Sequence, residues 1–384
     1  MIGSGLRNCA LLFLTLMCIA GLGVKAGKAD PLLDEIVDFA GQVFFIQAKV
    51  PGLVIGAVRN GEVSVRGFGE RAGPGSAPPD GDTLLRIGSV TKAFTGEVLA
   101  HMTAAGTVKL TDPLVKLAPD FTGSADPDVA RIRLIDLATH AGGLPRELPH
   151  EPGGDADPFA PITRDGFAAW LKKEKLLFAP SRSVLYSNFG FDLLAIALSE
   201  AAKRPYPDLL RDMITGPLAM KDTTFTLSDE QKGRLMRGHG FDGAMLPIVP
   251  TGSTIVGSGG LYSTPNDLLR WMRWHLDRSG ADGAEARVLD HALYVMRDGL
   301  EVASGMDESG HMDGLGLAWV GMMAQKDTPF ILQKAGGLQG TFSYVAFAPT
   351  RGVAVFIAIN KFDFGAALQM GTFANELLAD LSSR

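Results

Sequence analysis

The sequence contains very little cysteine. Two of its 384 residues are cysteines, Cys9 and Cys18, and both lie in an apolar segment near the N-terminus. The rest of the chain therefore has no disulfide, no thiol nucleophile and no thiolate ligand for a metal ion. Its seven histidines are scattered, without a His-x-x-x-His or Cys/His cluster. We therefore expect a protein without a metal ion or other cofactor.

Two further patterns are missing. No Gly-x-Ser-x-Gly motif occurs, which disfavours a Ser-His-Asp hydrolase of the α/β type. There is no block of like charges, and the net charge of −6 at pH 7 leaves no evident basic patch for nucleic-acid phosphates. A nucleic-acid partner is therefore not expected. The composition, 46% hydrophobic and 20% charged, is ordinary for a globular protein with one large core.

The N-terminal segment predicts export. Arg7 is followed by an uncharged run from Asn8 to Val24, and small residues follow at Ala26 and Ala29. This pattern is typical of a signal peptide covering residues 1–26. The alternative is a retained membrane anchor, although the run is slightly short, since about 20 apolar residues usually span a bilayer. Export without disulfides favours a periplasmic location. Peripheral association with the membrane and the oligomeric state stay open.

The order of elements predicts an α/β (α+β) fold. Strand patterns occur near both chain ends, within residues 27–88 and 299–384, whereas residues 89–298 are mainly helical. Since sequential strands usually join one sheet, both ends are expected to build a single antiparallel sheet. Helices Pro31–Lys49 and Phe364–Leu381 would flank this sheet. The middle segment would form an inserted helical lobe, with a cleft between the two lobes of the domain 27–384.

Periodicity predicts the individual elements. The other predicted helices are Ser89–Ala105, Ile132–His140, Arg164–Leu176, Phe189–Lys203, Pro207–Met213 and Thr264–Asp277. The predicted strands are Leu53–Val58 and Val63–Phe68, joined by a turn at Asn60-Gly61, and then Leu315–Met323, Phe330–Gly336, Thr341–Ala348 and Gly352–Ile359. Trp271, Met272 and Trp274 are interpreted as core residues and His140 as a hydrogen-bonded structural histidine.

A serine and a lysine stand three residues apart at Ser89 and Lys92. If Ser89 opens a helix, the lysine lies one turn further on the same face. A serine hydroxyl is a poor nucleophile until a neighbouring base takes its proton, and a lysine with a lowered pKa can do so. Gly88 would allow a substrate to approach this turn closely. Alone, such a pair is more often a helix cap beside a solvated lysine.

Two weaker motifs follow in the chain. Tyr186 precedes Asn188 by two residues, so a phenol that shuttles a proton would lie beside an amide that bonds a substrate carbonyl. Alone, this pair is more often a core tyrosine and a helix cap. Lys334-Ala335-Gly336-Gly337 ends a predicted strand, where the lysine could pair with a substrate carboxylate and the backbone with a peptide.

The three motifs in this order resemble those of penicillin-binding proteins and serine β-lactamases, and Tyr-x-Asn indicates the class C branch. Within that branch the chain is most similar to AmpH-type D-alanyl-D-alanine carboxypeptidase/endopeptidases. The resemblance covers nearly all of the chain after the signal peptide. It is carried by 86–89, 137–145, 217–225 and 257–265, and the closer likeness by 203–227 and 331–344.

The resemblance implies acylation of Ser89, with Lys92 and Tyr186 sharing the proton transfers. Which of these two is the base in each step stays open. The implied substrates are peptidoglycan stem peptides ending in D-Ala-D-Ala, and β-lactams are expected to acylate the same serine. A class C-like β-lactamase or an esterase is the alternative enzyme. A non-hydrolytic peptidoglycan or antibiotic receptor is the alternative from another class.

The resemblance also implies a substrate-binding set. Asn188 would hold the substrate amide, and Lys334, Gly336 and Gly337 would bind the substrate along one strand. The N–H groups of Ser89 and Gly337 would form the oxyanion hole. Ala335 departs from the family pattern, where threonine is usual, so one hydroxyl for the substrate carboxylate is missing. Carboxylate recognition is expected to be weaker by about 1 kcal/mol, the net value of one neutral hydrogen bond.

Overall fold

The computed structural model describes residues 30–151, 153–252 and 254–383. Their α-helices are α1 Pro31–Ala48, α2 Thr91–Ala104, α3 Leu114–Leu117, α4 Leu134–Ala138, α5 Arg164–Lys173, α6 Asn188–Ala202, α7 Tyr206–Leu210, α8 Asp229–Gly233, α9 Pro265–Leu276, α10 Ala284–His291 and α11 Phe364–Ser383. Their strands are β1 Gly52–Arg59, β2 Glu62–Gly69, β3 Leu85–Arg86, β4 Val184–Leu185, β5 Tyr262–Ser263, β6 Val295–Met296, β7 Ala303–Ser304, β8 Gly314–Leu315, β9 Val320–Met322, β10 Ile331–Leu338, β11 Thr341–Ala348 and β12 Val353–Ile359. The predicted signal peptide, residues 1–26, lies outside the described residues. None of the helices described combines the length and apolar character needed to cross a bilayer.

The main sheet joins the two ends of the chain. Its order is β2-β1-β12-β11-β10-β9-β8-β6, and every neighbouring pair is antiparallel. Strand β1 pairs with β12 over its length, so that Leu53 faces Ile359. The predicted turn at Asn60-Gly61 closes the β1–β2 hairpin, and both residues have the positive φ that a two-residue hairpin turn favours. The prediction of a mixed fold with an antiparallel sheet is therefore confirmed.

The two faces of the sheet are covered by different helices because strand side chains alternate between them. On β1, Ile55 and Ala57 face a core that α1 and α11 complete, where Phe44 stacks on Phe373 at 4.8 Å between ring centroids. Val54 on the same strand faces the core of the helical lobe. Each large apolar side chain buried in this way contributes about 1.5–3 kcal/mol to folding.

The helical lobe covers the second face through α9 and α2. Thr264 caps α9 by accepting a hydrogen bond from the Asp267 N–H at 3.2 Å. Trp271 of α9 is fully buried and stacks on Phe94 of α2 at 4.0 Å. Met272 is also fully buried, whereas Trp274 is only half-buried. The core therefore includes the first two of these residues completely and Trp274 in part.

One predicted strand is wrong. The run Leu315–Met323 was expected to be continuous, but it forms the short strands β8 and β9, joined by a turn. Gly316 donates its N–H to the carbonyl of Trp319 at 2.9 Å, and Ala318 has a positive φ of 75°. This turn reverses the chain inside the apolar run. The sequence also predicts that the second sheet-forming segment begins at residue 299. The structure shows that Val295–Met296, which precedes this residue, already joins the main sheet as β6.

Candidate active site

Ser89 lies in a tight turn that leads into helix α2. Gly88–Val90 form a single 3-10 turn, and Gly88 has a positive φ of 51°, a conformation that glycine adopts without strain. A Cβ at Gly88 would lie 2.6 Å from the backbone nitrogen of Gly337, so the turn packs directly against β10. Ser343 on β11 donates to the carbonyl of Ile87 at 2.9 Å. The sheet therefore holds the serine turn in place.

Lys92 lies one helical turn after Ser89, as the spacing predicts. Its side chain is fully buried, and its Nζ lies 3.2 Å from the Ser89 Oγ. The same nitrogen donates to the Ser258 carbonyl at 2.7 Å and to Oδ1 of Asn188. Burial lowers the pKa of Lys92 well below its ordinary value, and the charge of Lys334 lowers it further. The lowered pKa increases the share of neutral amine, the form that can accept the proton of Ser89.

Tyr186 follows strand β4, and its hydroxyl is hydrogen-bonded to Ser89. The side-chain nitrogens of Lys92 and Lys334 lie 4.9 and 5.0 Å from its ring centroid, and His140 stacks on it at 4.6 Å. Burial nevertheless raises the pKa of Tyr186, against the lowering effects of its hydrogen bond and of Arg146. The phenol is therefore protonated and can donate a proton. Nearby cations alone do not stabilise a phenolate here.

His140 supports the loop that carries Tyr186. It is buried, and its Nδ1 accepts a hydrogen bond from the Ser187 N–H at 3.0 Å. Because Nδ1 is the acceptor, the proton of the neutral ring is on Nε2, which has no partner among the described residues. Burial lowers the pKa of His140 well below its ordinary value, so the ring is neutral. These contacts agree with its interpretation as a structural histidine.

Asn188 is the first residue of α6, and its side chain bridges Lys92 and Glu147. Its Oδ1 accepts from Lys92, and its Nδ2 donates to Oε1 of Glu147. Ser187 caps the helix by accepting from the Gly190 N–H at 2.9 Å. The side-chain amide of Asn188 therefore lies in the site, but its oxygen and its nitrogen already have protein partners. A substrate amide would have to share or displace one of them.

Strand β10 forms the opposite wall. Its pairing with β9 involves Ile331–Gln333, so within the described residues the edge from Lys334 onward has no strand partner. A Cβ at Gly336 would lie 2.1 Å from the carbonyl oxygen of Ile87, so only glycine allows this approach. Gly337 is exposed and lines the cleft with Ser89. Burial lowers the pKa of Lys334 to about 7, although the charge of Glu308 opposes this effect.

The structure adds residues that the motifs did not identify. The cleft has a volume of about 500 Å³, and Arg146 and Glu308 line it together with Ser89, Tyr186 and Lys334. Arg146 directly follows the family-like stretch 137–145, which is a signal that could have found it. Glu308 lies in an irregular segment without any pattern.

Asp192 is a second group that sequence reasoning missed. It lies one turn after Asn188 on α6 and accepts from the Ser258 hydroxyl at 3.0 Å. Burial raises the pKa of Asp192 to about 8, while the charge of Lys92 opposes this shift. The spacing of four residues on a predicted helix could have indicated that it shares a face with Asn188.

One group of metal-type side chains lies apart from the cleft. His275, Asp290 and His291 offer ligand atoms within 4.8 Å of one another, and His275 Nδ1 is 2.9 Å from His291 Nε2. Asp290 also accepts from the indole N–H of the core residue Trp319 at 2.7 Å. None of these side chains lines the cleft that contains Ser89. The chemistry of the cleft therefore depends on other groups.

The chain is similar to known proteins in sequence and in fold. The sequence model of the Beta-lactamase family matches residues 29–379. The chain is 35% identical to the Escherichia coli D-alanyl-D-alanine-carboxypeptidase/endopeptidase AmpH over 382 residues, covering 97% of each chain. It is 23% identical over 347 residues to a Pseudomonas fluorescens β-lactamase, covering 85% of this chain and 93% of that protein. A solved Yersinia pestis β-lactamase/D-alanine carboxypeptidase, complexed with citrate, aligns with a TM-score of 0.82 and 39% identity, covering 91% of this chain and 99% of that one.

Proposed function

The chain belongs to the Beta-lactamase family and is a serine hydrolase, and from this premise we propose that it cleaves peptidoglycan peptides ending in D-Ala-D-Ala. It acts as a carboxypeptidase and endopeptidase through an acyl-enzyme on Ser89. The observation that carries this assignment is the buried Lys92 amine, whose pKa is lowered, 3.2 Å from the Ser89 hydroxyl, with the Tyr186 phenol bonded to the same hydroxyl. β-Lactams acylate the same serine.

Acylation begins when Lys92 accepts the proton of Ser89. The Ser89 oxygen then forms a bond to the substrate carbonyl carbon, and the backbone N–H groups of Ser89 and Gly337 stabilise the oxyanion. Each such donor is worth about 3–4 kcal/mol in a related type of site. Tyr186 donates its proton to the leaving amine as the C–N bond breaks, and it regains a proton from Lys92. The amine leaves with the phenolic proton, and the proton that Ser89 lost restores Tyr186 by way of Lys92.

Hydrolysis of the acyl-enzyme reverses these transfers. Water replaces the amine beside Tyr186. Tyr186 passes its proton to Lys92 and takes one from the water, which attacks the ester carbonyl while the same two N–H groups bind the oxyanion. The bond to the serine oxygen breaks, and Lys92 returns a proton to Ser89. Lys334 holds the substrate carboxylate during acylation, and the open edge of β10 pairs with the peptide backbone. Asn188 orients the substrate amide.

The first experiment measures release of D-Ala from a peptide ending in D-Ala-D-Ala, together with covalent labelling by a fluorescent penicillin. The wild-type protein is expected to release D-Ala and to be labelled. Ser89→Ala is expected to do neither, whereas Ser279→Ala, which changes an exposed serine outside the cleft, is expected to behave as wild type. Rapid hydrolysis of the drug without any D-Ala release would establish a β-lactamase instead. Stable labelling without turnover would support a receptor.

A periplasmic location is part of this proposal. Its support is the leader-like pattern of residues 1–26 and a substrate class that lies outside the inner membrane. The test compares the periplasmic and cytoplasmic fractions of cells that express the tagged full-length chain. Retention in the cytoplasm in a processed or unprocessed form would contradict it.

A further inference from the structure

The guanidinium group of Arg146 faces the cleft without a hydrogen bond or ion pair among the described residues. Its side chain is exposed and lines the cleft with Ser89, and its guanidinium carbon lies 4.7 Å from the ring centroid of Tyr186. Its backbone is anchored, because its carbonyl accepts from the Asn188 N–H at 2.7 Å. The guanidinium itself, however, has no hydrogen bond or ion pair with any residue that the structure describes. An arginine side chain that lies over Tyr186 and makes no hydrogen bond or ion pair has its N–H groups available to a ligand.

The charge balance of the cleft supports an anionic ligand. Lys334 is the other cation near the Tyr186 ring, and burial lowers its pKa to about 7, so it is partly neutral at neutral pH. Ala335 contributes no hydroxyl. Glu147 is bonded to Asn188, and neither it nor Glu308 forms an ion pair with Arg146 among the described residues. A carboxylate recognised by Lys334 alone would therefore be held weakly.

We propose that Arg146 binds the free carboxylate of the substrate's leaving group, together with Lys334, and so selects substrates that carry this carboxylate. Arginine suits this role because its planar guanidinium group can donate hydrogen bonds to both oxygens of a carboxylate. The group also keeps its charge across the physiological pH range. The proposal rests on the proposed function for the identity of the peptide. Its chemistry, a carboxylate beside the bond that Ser89 breaks, can be tested on simpler acyl donors.

The test compares two thioesters that differ only in charge. One is the benzoylglycyl thioester of mercaptoacetic acid, which carries a free carboxylate. The other is the same thioester with that carboxylate converted to its methyl ester. Ser89 attacks both thioesters at the same carbonyl, and a thiol reagent reports the released thiol. Arg146→Gln removes the charge, Arg146→Lys keeps the charge without the fork, and Arg131→Gln removes an exposed arginine outside the cleft as the matched control.

The expected result is a selective loss. Arg146→Gln should lower kcat/KM for the acidic thioester by about 10- to 100-fold, the range for a lost hydrogen bond to a charged group. It should change the methyl ester by less than twofold. Arg146→Lys should fall between wild type and Arg146→Gln, and Arg131→Gln should match wild type. An unchanged melting temperature and unchanged methyl-ester turnover exclude misfolding as the cause.

Two outcomes would overturn the inference. Equal losses on both thioesters would mean that Arg146 positions Tyr186 rather than binds a carboxylate. No loss on either would mean that it has no role in this reaction. The proposed function is judged separately by D-Ala release: failure of release with an intact thioester difference would reject the peptidase and keep the carboxylate anchor.

Discussion

The side-chain nitrogen of Lys92 lies 3.2 Å from the hydroxyl oxygen of Ser89, and this lysine is fully buried. A buried ammonium is unfavourable, so burial and the charge of Lys334 lower the pKa of Lys92. The consequence is a base that is available without a histidine. Lys92 also donates to the carbonyl of Ser258, which fixes the nitrogen beside the serine.

Replacing Lys92 with Met keeps a long unbranched side chain and removes the amine that serves as the base. We expect the rate of acylation by a fluorescent penicillin to fall by about 10²–10⁴-fold, the range for loss of general-base catalysis. Lys116→Met is the matched control, because Lys116 lies on α3, is exposed and pairs with Asp112. A time course of labelling at fixed drug concentration measures both. A fall of less than tenfold for Lys92→Met would exclude Lys92 as the principal base.

The charge of Lys334 should make substrate binding depend on pH. Its lowered pKa of about 7 means that it is cationic below pH 7 and loses its charge as the pH rises above 7. The KM of a D-Ala-D-Ala peptide should therefore be lowest below pH 7 and should rise several-fold by pH 8.5. In Lys334→Gln the KM should be higher and nearly independent of pH. A wild-type KM that stays flat over this range would contradict the assigned role.

The missing hydroxyl at Ala335 can be restored. Ala335 is half-buried and lines the cleft, so Ala335→Thr adds a donor near the position of the substrate carboxylate. The KM of the peptide should fall about fivefold, equivalent to about 1 kcal/mol. Ala335→Val has a similar volume without the hydroxyl and should give no such gain. If both variants change the KM equally, packing rather than hydrogen bonding controls this position.

The close contact between β10 and the Ser89 turn should not tolerate a side chain. In Gly336→Ala the new Cβ would lie 2.1 Å from the Ile87 carbonyl oxygen and 2.8 Å from the Ser89 nitrogen, so the strand and the turn must separate. We expect a loss of about 1–3 kcal/mol in the free energy of unfolding, as in other overpacked sites. Penicillin labelling should also slow by at least tenfold.

The control for this variant is Gly233→Ala at the end of α8, where a Cβ would meet no atom within 4 Å. Thermal unfolding and labelling are measured on both variants. Gly233→Ala should be neutral or slightly stabilising, since alanine favours a helix over glycine. Normal labelling of Gly336→Ala would show that the oxyanion pocket accommodates the displacement.

Much of the fold followed from local patterns. Periods of two and 3.6 residues, a hairpin turn at Asn60-Gly61 and capping at Thr264 predicted elements that the structure contains. These features depend on neighbours in the chain, which is why they could be recognised without coordinates. The break in the Leu315–Met323 run could not be predicted in this way, because a continuous apolar segment has no periodicity that distinguishes one strand from a hairpin of two strands.

The candidate site, too, has features that the sequence predicts and features that only the tertiary structure shows. Three short motifs, whose order resembles that of penicillin-binding proteins and serine β-lactamases, predicted Ser89, Lys92, Tyr186, Asn188 and Lys334 as site residues. The tertiary contacts added what depends on distance and burial: the lowered pKa of Lys92, the raised pKa of Tyr186 and the position of Arg146 over the Tyr186 ring. A pKa reflects desolvation and charges from segments far apart in sequence, and no local pattern encodes their sum. Residue identity therefore follows from the chain, whereas protonation and availability follow from its packing.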